Sequence, residues 1–313
     1  MAVPPIDRRA RPEGAAFSRW RAPDGWALRR MDWSQPQGSG VRGTLLFLGG
    51  RGDFVEKYLE PLGHWHGRGW NVVSVDWRGQ GDSRGEIVGG HLGSLDPLVA
   101  DLAALLAELR RAGRGPLAAV GHSMGGHVLL RALAEEQAAP EAAVLVAPML
   151  AINAAPLPHW AARWTASLLS LLGWGCQPAW RVPDLPPPAG SRRQRYLTGS
   201  PERYEDELWW WEREPGFNLG APSWGWLEAA YRSCAQLSEA KLRRVRTPLL
   251  LVGTEADRLV SPAAIRRAAA ALPNARLKMF DHAAHEILRE ADEVRTEALE
   301  AIDRFLDEAA PTA

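Results

Sequence analysis

The chain has 313 residues, 46% of them hydrophobic, enough for one large core with an insertion. Its 37 basic and 37 acidic side chains cancel, which argues against a broad nucleic-acid-binding face. Cys176 and Cys234 supply neither a disulfide framework nor a metal cluster, no His-Glu-x-x-His pattern occurs, and Met1 to Arg9 lacks the apolar run of a signal peptide. A cytoplasmic protein that needs no metal or cofactor is the expectation.

Taken in chain order, residues 1 to about 17 are polar and rich in proline and arginine, and read as a loose tail. Trp20 to Trp33, around Asp24-Gly25, reads as a hairpin. Strands and helices then alternate. An apolar strand near 44–48 opens into the loop Gly49-Gly50-Arg51-Gly52 and a helix. That loop lacks the Gly-Lys-Ser/Thr ending and the Gly-x-Gly-x-x-Gly spacing of nucleotide-binding turns. A strand near 70–76 ends in the Gly-rich turn Asp76 to Ser83, where Arg78 and Asp82 read as braces of the turn. After the amphipathic helix Leu95 to Arg111 come strands near 117–122 and 142–147. The alternation predicts an α/β fold, a mostly parallel sheet with helices on both faces.

The strand at 117–122 runs into Gly121-His122-Ser123-Met124-Gly125, a serine at the centre of Gly-x-Ser-x-Gly between strand and helix. This is the nucleophile-elbow pattern: a tight, strained turn exposes the hydroxyl at a helix N-terminus. The Met124 N–H has no partner inside its helix and is free to hold an oxyanion. A serine hydroxyl needs a base, and the base an orienting carboxylate, so an acid and then a histidine should follow. Thr247 to Gly253 reads as a buried strand, and the loop behind it offers Glu255 and Asp257. Ser261-Pro262 starts a helix, Ala275 to Asp281 reads as the last strand, and His282 and His285 follow it, ahead of a final helix near 286–308.

These motifs resemble the α/β-hydrolase family, and within it the monoacylglycerol lipase and lysophospholipase branch. His285-Glu286, followed by Ile287, Leu288 and Glu290, is similar to the branch's His-Glu pair, which selects His285 over His282. Gly253-x-x-x-Asp257 with Leu259-Val260 behind it selects Asp257 over Glu255 in the same way. Upstream, the loop at Gly49 and the turn Asp76-x-Arg78-Gly79-x-Gly81-x-Ser83 also look like the branch, apart from Gly49, where many members have histidine. By position the resemblance implies that the backbone N–H of Arg51 pairs with that of Met124 as the oxyanion hole.

Between about Pro148 and Lys241 the alternation stops, and this stretch holds nine of the chain's 15 tryptophans. In the family an insertion here is a cap, and Leu197 to Tyr204 with Gly220 to Leu227 are similar to the cap of bacterial lysophospholipase L2-like proteins. The implied division is a tail at 1–17, a core at 18–147 and 242–313, and a cap at 148–241. Trp160, Trp164, Trp209 and Trp224 are candidates for contact with an apolar substrate, packing of the cap onto the core being the alternative. The stretch from Trp160 to Trp174 is too short to span a bilayer, and without a dense Lys/Arg face it reads as a buried cap helix, contact with a membrane surface being the alternative. The resemblance implies a serine hydrolase of carboxylic esters, its substrate a small apolar ester or lysolipid such as lysophospholipid or monoacylglycerol. Short-chain or aryl esterase, aminopeptidase and a non-catalytic binder on the same scaffold stay open.

Overall fold

The computed structural model describes residues 6–85, 89–113, 115–137, 139–181 and 186–312. Its strands are β1 (Ala15–Arg21), β2 (Ala27–Trp33), β3 (Gly43–Leu48), β4 (Trp70–Val75), β5 (Leu117–His122), β6 (Ala142–Val146), β7 (Leu249–Thr254) and β8 (Ala275–Phe280). Its α-helices are α1 (Leu59–Gly67), α2 (Asp96–Ala112), α3 (Met124–Ala134), α4 (His159–Leu169), α5 (Arg192–Leu197), α6 (Pro201–Arg213), α7 (Trp224–Gln236), α8 (Glu239–Leu242), α9 (Pro262–Ala271) and α10 (Asp292–Ala309). One sheet joins all the strands in the order β1-β2-β4-β3-β5-β6-β7-β8. The expected hairpin β1-β2 pairs antiparallel at one edge, and β2 pairs antiparallel with β4. From β4 to β8 every pairing is parallel.

β3, β5, β6 and β7 are buried along their whole length, as strands covered on both faces must be. Successive side chains feed opposite cores. Leu46, Leu48, Ala119, Leu145 and Leu251 pack with α2, α3 and α9 on one face. Leu45, Phe47, Val120, Val144 and Val252 pack with α1 and α10 on the other. Because the chain after β3 passes to one face and the chain after β5 to the other, their loops part at the carboxyl edge of the sheet. That divergence makes the crevice in which open α/β sheets bind ligands.

Two expectations fail. The N-terminal tail is not loose over residues 6–14, its first five residues lying outside the described ones. Arg8 and Arg9 pair with Asp206 of α6 at 2.5 and 2.7 Å, Arg11 pairs with Glu56 at 2.7 Å, and the Trp210 indole donates to the Arg8 carbonyl. Local composition could not show this, because the anchoring carboxylates lie far along the chain. Nor is α4 a buried helix. Trp160, Trp164 and Leu168 are exposed along one side, and Leu171, Leu172 and Trp174 of the following π turn (Ser170–Trp174) continue the face. The helix rests its other side on α7, where the His159 and Tyr231 rings meet edge-on at 5.1 Å. An apolar stripe at helical spacing reveals the face and not the medium it meets. The final helix also starts later than expected, at Asp292, because a 3-10 turn (Ile287–Arg289) precedes it.

Candidate active site

Ser123 sits between β5 and α3 with φ 51° and ψ −114°, a left-handed conformation costly for a residue with a Cβ. The surrounding packing imposes it. Its N–H donates to the Val146 carbonyl at 2.9 Å, and its own carbonyl accepts from Met149. A Cβ on Gly125 would lie 2.3 Å from the Leu48 carbonyl oxygen, and one on Gly121 would lie 2.7 Å from the Gly126 backbone. Only bare glycine lets α3 start this close to β3 and β5.

The carboxyl ends of β7 and β8 bring the two partners. The His285 Nδ1–H donates to Asp257 Oδ2 at 2.7 Å, which leaves the Nε2 lone pair facing the Ser123 hydroxyl at 2.9 Å. Asp257 is fixed in turn, since its Oδ1 accepts from the Leu259 and Val260 N–H groups at 2.8 and 3.0 Å. Burial opposes charge on both groups. The His285 ring outweighs it at Asp257, holding that carboxyl below its ordinary range. At His285 the Asp257 charge and hydrogen bond, with Glu286 and Asp53 behind them, raise the imidazole above its usual value. The rival residues lie elsewhere: Glu255 pairs with Arg266 at the surface, and His282 is exposed.

Gly50 packs against the serine, where a Cβ would come within 3.0 Å of Ser123 Cβ. Arg51 follows Gly50 in that loop, and Met124 follows Ser123 at the start of α3. Neither N–H has an acceptor among the described residues. Arg78, one of the braces read from the sequence, is held by Asp101 at 2.5 Å and Asp24 at 2.7 Å.

Sequence reasoning missed a buried polar network behind the triad. Asp53 Oδ2 accepts from the Gly50 N–H at 2.5 Å and the Tyr58 hydroxyl at 3.1 Å, and lies 3.1 Å from His122 Nδ1. The Lys57 ammonium reaches Asp53 at 2.8 Å, Glu286 at 2.6 Å and Glu207 of α6 at 3.2 Å. Arg289 donates to Glu286, and Arg193 pairs with Glu207 at 3.0 Å. Three carboxylates face three cations, which is what lets the charges stay buried. Burial alone would push the carboxyls up. The Lys57 charge instead holds Asp53 well below its usual range, and Arg193 with Lys57 brings Glu207 down to about 2. The Asp53–Lys57 spacing of four residues was the one local signal; Glu207 and Arg193 are visible only in three dimensions.

The insertion is stitched directly to the histidine loop. The Tyr196 and Leu197 carbonyls accept from the His285 and Glu286 N–H groups at 3.2 and 2.7 Å, and the Thr198 hydroxyl donates to the Arg289 carbonyl at 2.6 Å. Of the four candidate tryptophans, Trp160 and Trp164 face solvent, and Trp209 lies edge-on to Trp210 beneath the Arg213 guanidinium. Trp224, half-buried, starts α7 and donates its N–H to the Gln177 carbonyl. No hydrogen bond or ring contact joins any of them to the triad among the described residues. Trp226, in α7, meets the loop after β3, its ring 5.1 Å beneath the Arg51 guanidinium.

The chain matches the family described as serine aminopeptidase, S33, over residues 39–292. It is 29% identical over 277 residues to lysophospholipase L2 of Escherichia coli strain K12, covering 82% of this chain and 78% of that protein. A probable lysophospholipase L2 of Haemophilus influenzae is 26% identical over 281 residues, covering 87% and 86%. A soluble variant of monoglyceride lipase from Saccharomyces cerevisiae superposes with TM-score 0.75 at 16% identity, over 98% of this chain and 99% of that one. Monoacylglycerol lipase of Paleococcus ferrophilus gives TM-score 0.70 at 21% identity, over 90% and 99%. At these identities both superpositions show the fold alone. The family match spans most of the chain: the protein belongs to the serine aminopeptidase S33 family, with the α/β-hydrolase fold.

Proposed function

We propose that this protein hydrolyses carboxylic esters of apolar acyl chains, lysophospholipid or monoacylglycerol, through an acyl-enzyme. Ser123 Oγ attacks the ester carbonyl as His285 Nε2 takes its proton, and Asp257 stabilises the imidazolium that forms. The oxyanion is held by the N–H groups of Arg51 and Met124. His285 then gives the proton to the leaving alcohol, and water repeats the sequence to release the acid. The continuous chain from Ser123 Oγ through His285 to Asp257 carries this reading.

A lipid substrate is supported by the exposed apolar face of α4 and its π turn, where Trp164 is 71% and Leu171 86% accessible, a face suited to a lipid surface. No helix among the described residues is long and apolar enough to cross a membrane, so the contact would be peripheral. Aminopeptidase action would need an unsatisfied anion beside Ser123 to hold a free α-amino group. The nearby carboxylates Asp53 and Glu286 are already engaged by Lys57 and Arg289. A fluorophosphonate probe should label the wild-type protein and not Ser123→Ala, and monooleoylglycerol or lysophospholipid should be cleaved faster than an aminoacyl arylamide. Labelling without cleavage of any long-chain ester would overturn the lipid assignment.

A further inference from the structure

The side chain of Arg51 has no part in the mechanism above, and its setting is unusual. Arg29, Arg78, Arg193, Arg203 and Arg289 are also drawn into the fold, and each faces a carboxylate. Arg51 faces none among the described residues. Its guanidinium donates to the Gly220 carbonyl of the insertion at 3.0 Å and to the Gly89 carbonyl at 2.9 Å, and lies over the Trp226 ring. Its Nε is shut off from solvent with no acceptor. Carbonyl dipoles and a π face orient a cation without neutralising it. Removing a guanidinium from water without a counter-charge is costly, and here burial pushes Arg51 down to about 9. The residue nonetheless keeps part of its surface accessible.

Position then says what that anion is attached to. The Arg51 backbone N–H is the proposed donor to the ester oxyanion, so its side chain is an arm that starts at the reacting carbonyl. Five bonds separate the Arg51 Cα from the guanidinium carbon. Six separate the ester carbonyl carbon of a 1-acyl glycerophosphate from its phosphorus. The two arms are of similar length and share an origin, and guanidinium is the side chain whose forked donors match phosphate.

Building on the ester-hydrolase reading, we propose that the Arg51 guanidinium binds the phosphate of a lysophospholipid, so that this enzyme prefers a phosphate-bearing monoacyl ester to the uncharged monoacylglycerol of the same chain. The residue is thus a specificity determinant as well as an oxyanion donor. The Gly220 contact makes the cap part of this site, because it fixes the direction in which the guanidinium points.

The test compares wild type with Arg51→Gln and Arg51→Lys on matched micellar substrates, 1-oleoyl lysophosphatidylglycerol and monooleoylglycerol. Both variants keep the backbone N–H, and the ratio of the two kcat/KM values cancels any loss common to both substrates. The ratio should favour the phospholipid in wild type, fall about tenfold to a hundredfold in Arg51→Gln, and recover in part in Arg51→Lys. Independently of lipid, glycerol 3-phosphate should inhibit wild-type cleavage of p-nitrophenyl butyrate competitively, more strongly than inorganic phosphate does, and the inhibition should weaken about tenfold in Arg51→Gln. An equal effect of the two phosphates would point to a free-anion site and overturn the headgroup assignment. A folded Arg51→Gln with unchanged ratio and inhibition would leave Arg51 a mere pin between loop and cap. If the variants do not fold, wild type still decides: no preference and no inhibition overturns the proposal. Cleavage of the butyrate but of neither lipid would defeat the lipid reading, while the glycerol 3-phosphate inhibition would still judge Arg51.

Discussion

Ser123 holds a backbone conformation that a side chain makes costly, and the cost belongs to catalysis rather than to folding. Ser123→Gly and Ser123→Ala should both abolish turnover, by ~10⁴ to 10⁶. Only the glycine variant escapes the strain at φ 51°, so it should unfold at a higher temperature than the alanine variant, by about 1 kcal/mol in stability. Equal melting temperatures would show that the elbow is relaxed. In the proposed mechanism His285 is the base, and a base works only when neutral. Because Asp257 raises its pKa, kcat/KM should fall on the acid side with an apparent pKa above that of an ordinary histidine. Asp257→Asn removes the charge that favours the imidazolium, so the acid limb should move to lower pH while the rate drops ~10⁴-fold. An unmoved limb in that variant would assign the titration to another group. His282→Ala, at an exposed position, should leave the profile unchanged. At this scale the three side chains that hydrogen-bond in series, Ser123, His285 and Asp257, were legible in the sequence because elbow, acid loop and final histidine each sit beside a strand signal. The network around Asp53 was not, since His122 on Asp53 and Glu286 on Lys57 gain their meaning only when three loops meet.

Among the elements, the parallel strands were legible nearly to the residue, whereas β1 starts at Ala15, inside the stretch read as a tail. β3, β5, β6 and β7 are continuous apolar runs between turn residues, and the two-residue alternation of Leu45 and Leu46 already sorts them to opposite cores. The helices of the insertion were legible as helices, not as to what they face. Local pattern shows that Trp160, Trp164 and Leu168 share a side of α4, but only the placement of α7 decides that this side is the outer one. The exposed face should bind lipid. Trp164→Ser and Leu171→Ser should each weaken sedimentation with liposomes by about tenfold to a hundredfold, given ~1.5–3 kcal/mol for burying such a side chain, and should slow hydrolysis of vesicle-borne substrate without slowing that of a dispersed short ester. Equal slowing of both would mean that these residues hold the cap in place instead.

On the scale of the molecule, the insertion is anchored unequally. α5 and α6 are fastened to the core by the backbone bonds at Tyr196 and Leu197, by Glu207 on Lys57, by Arg203 on Glu60 at 2.6 Å, and by Arg8 and Arg9 on Asp206. α4 and its π turn have little beyond α7, and within α4 only Ala166 is buried. Hydrogen–deuterium exchange should accordingly be fast across residues 159–174 and slow across 201–213, and an even pattern would contradict this division. The clamped half was invisible to local reading for the same reason that the N-terminal segment was mistaken for a loose tail: its fastenings join residues far apart in sequence. If the insertion roofs the proposed site, fixing one half of it dictates where it would open. Entry would then be on the α4 side, the side that carries the outward apolar residues, and a lipid drawn from an aggregate would reach Ser123 without its acyl chain being immersed in bulk water. The barrier to capture would then be the parting of one helix rather than the solvation of a hydrocarbon tail.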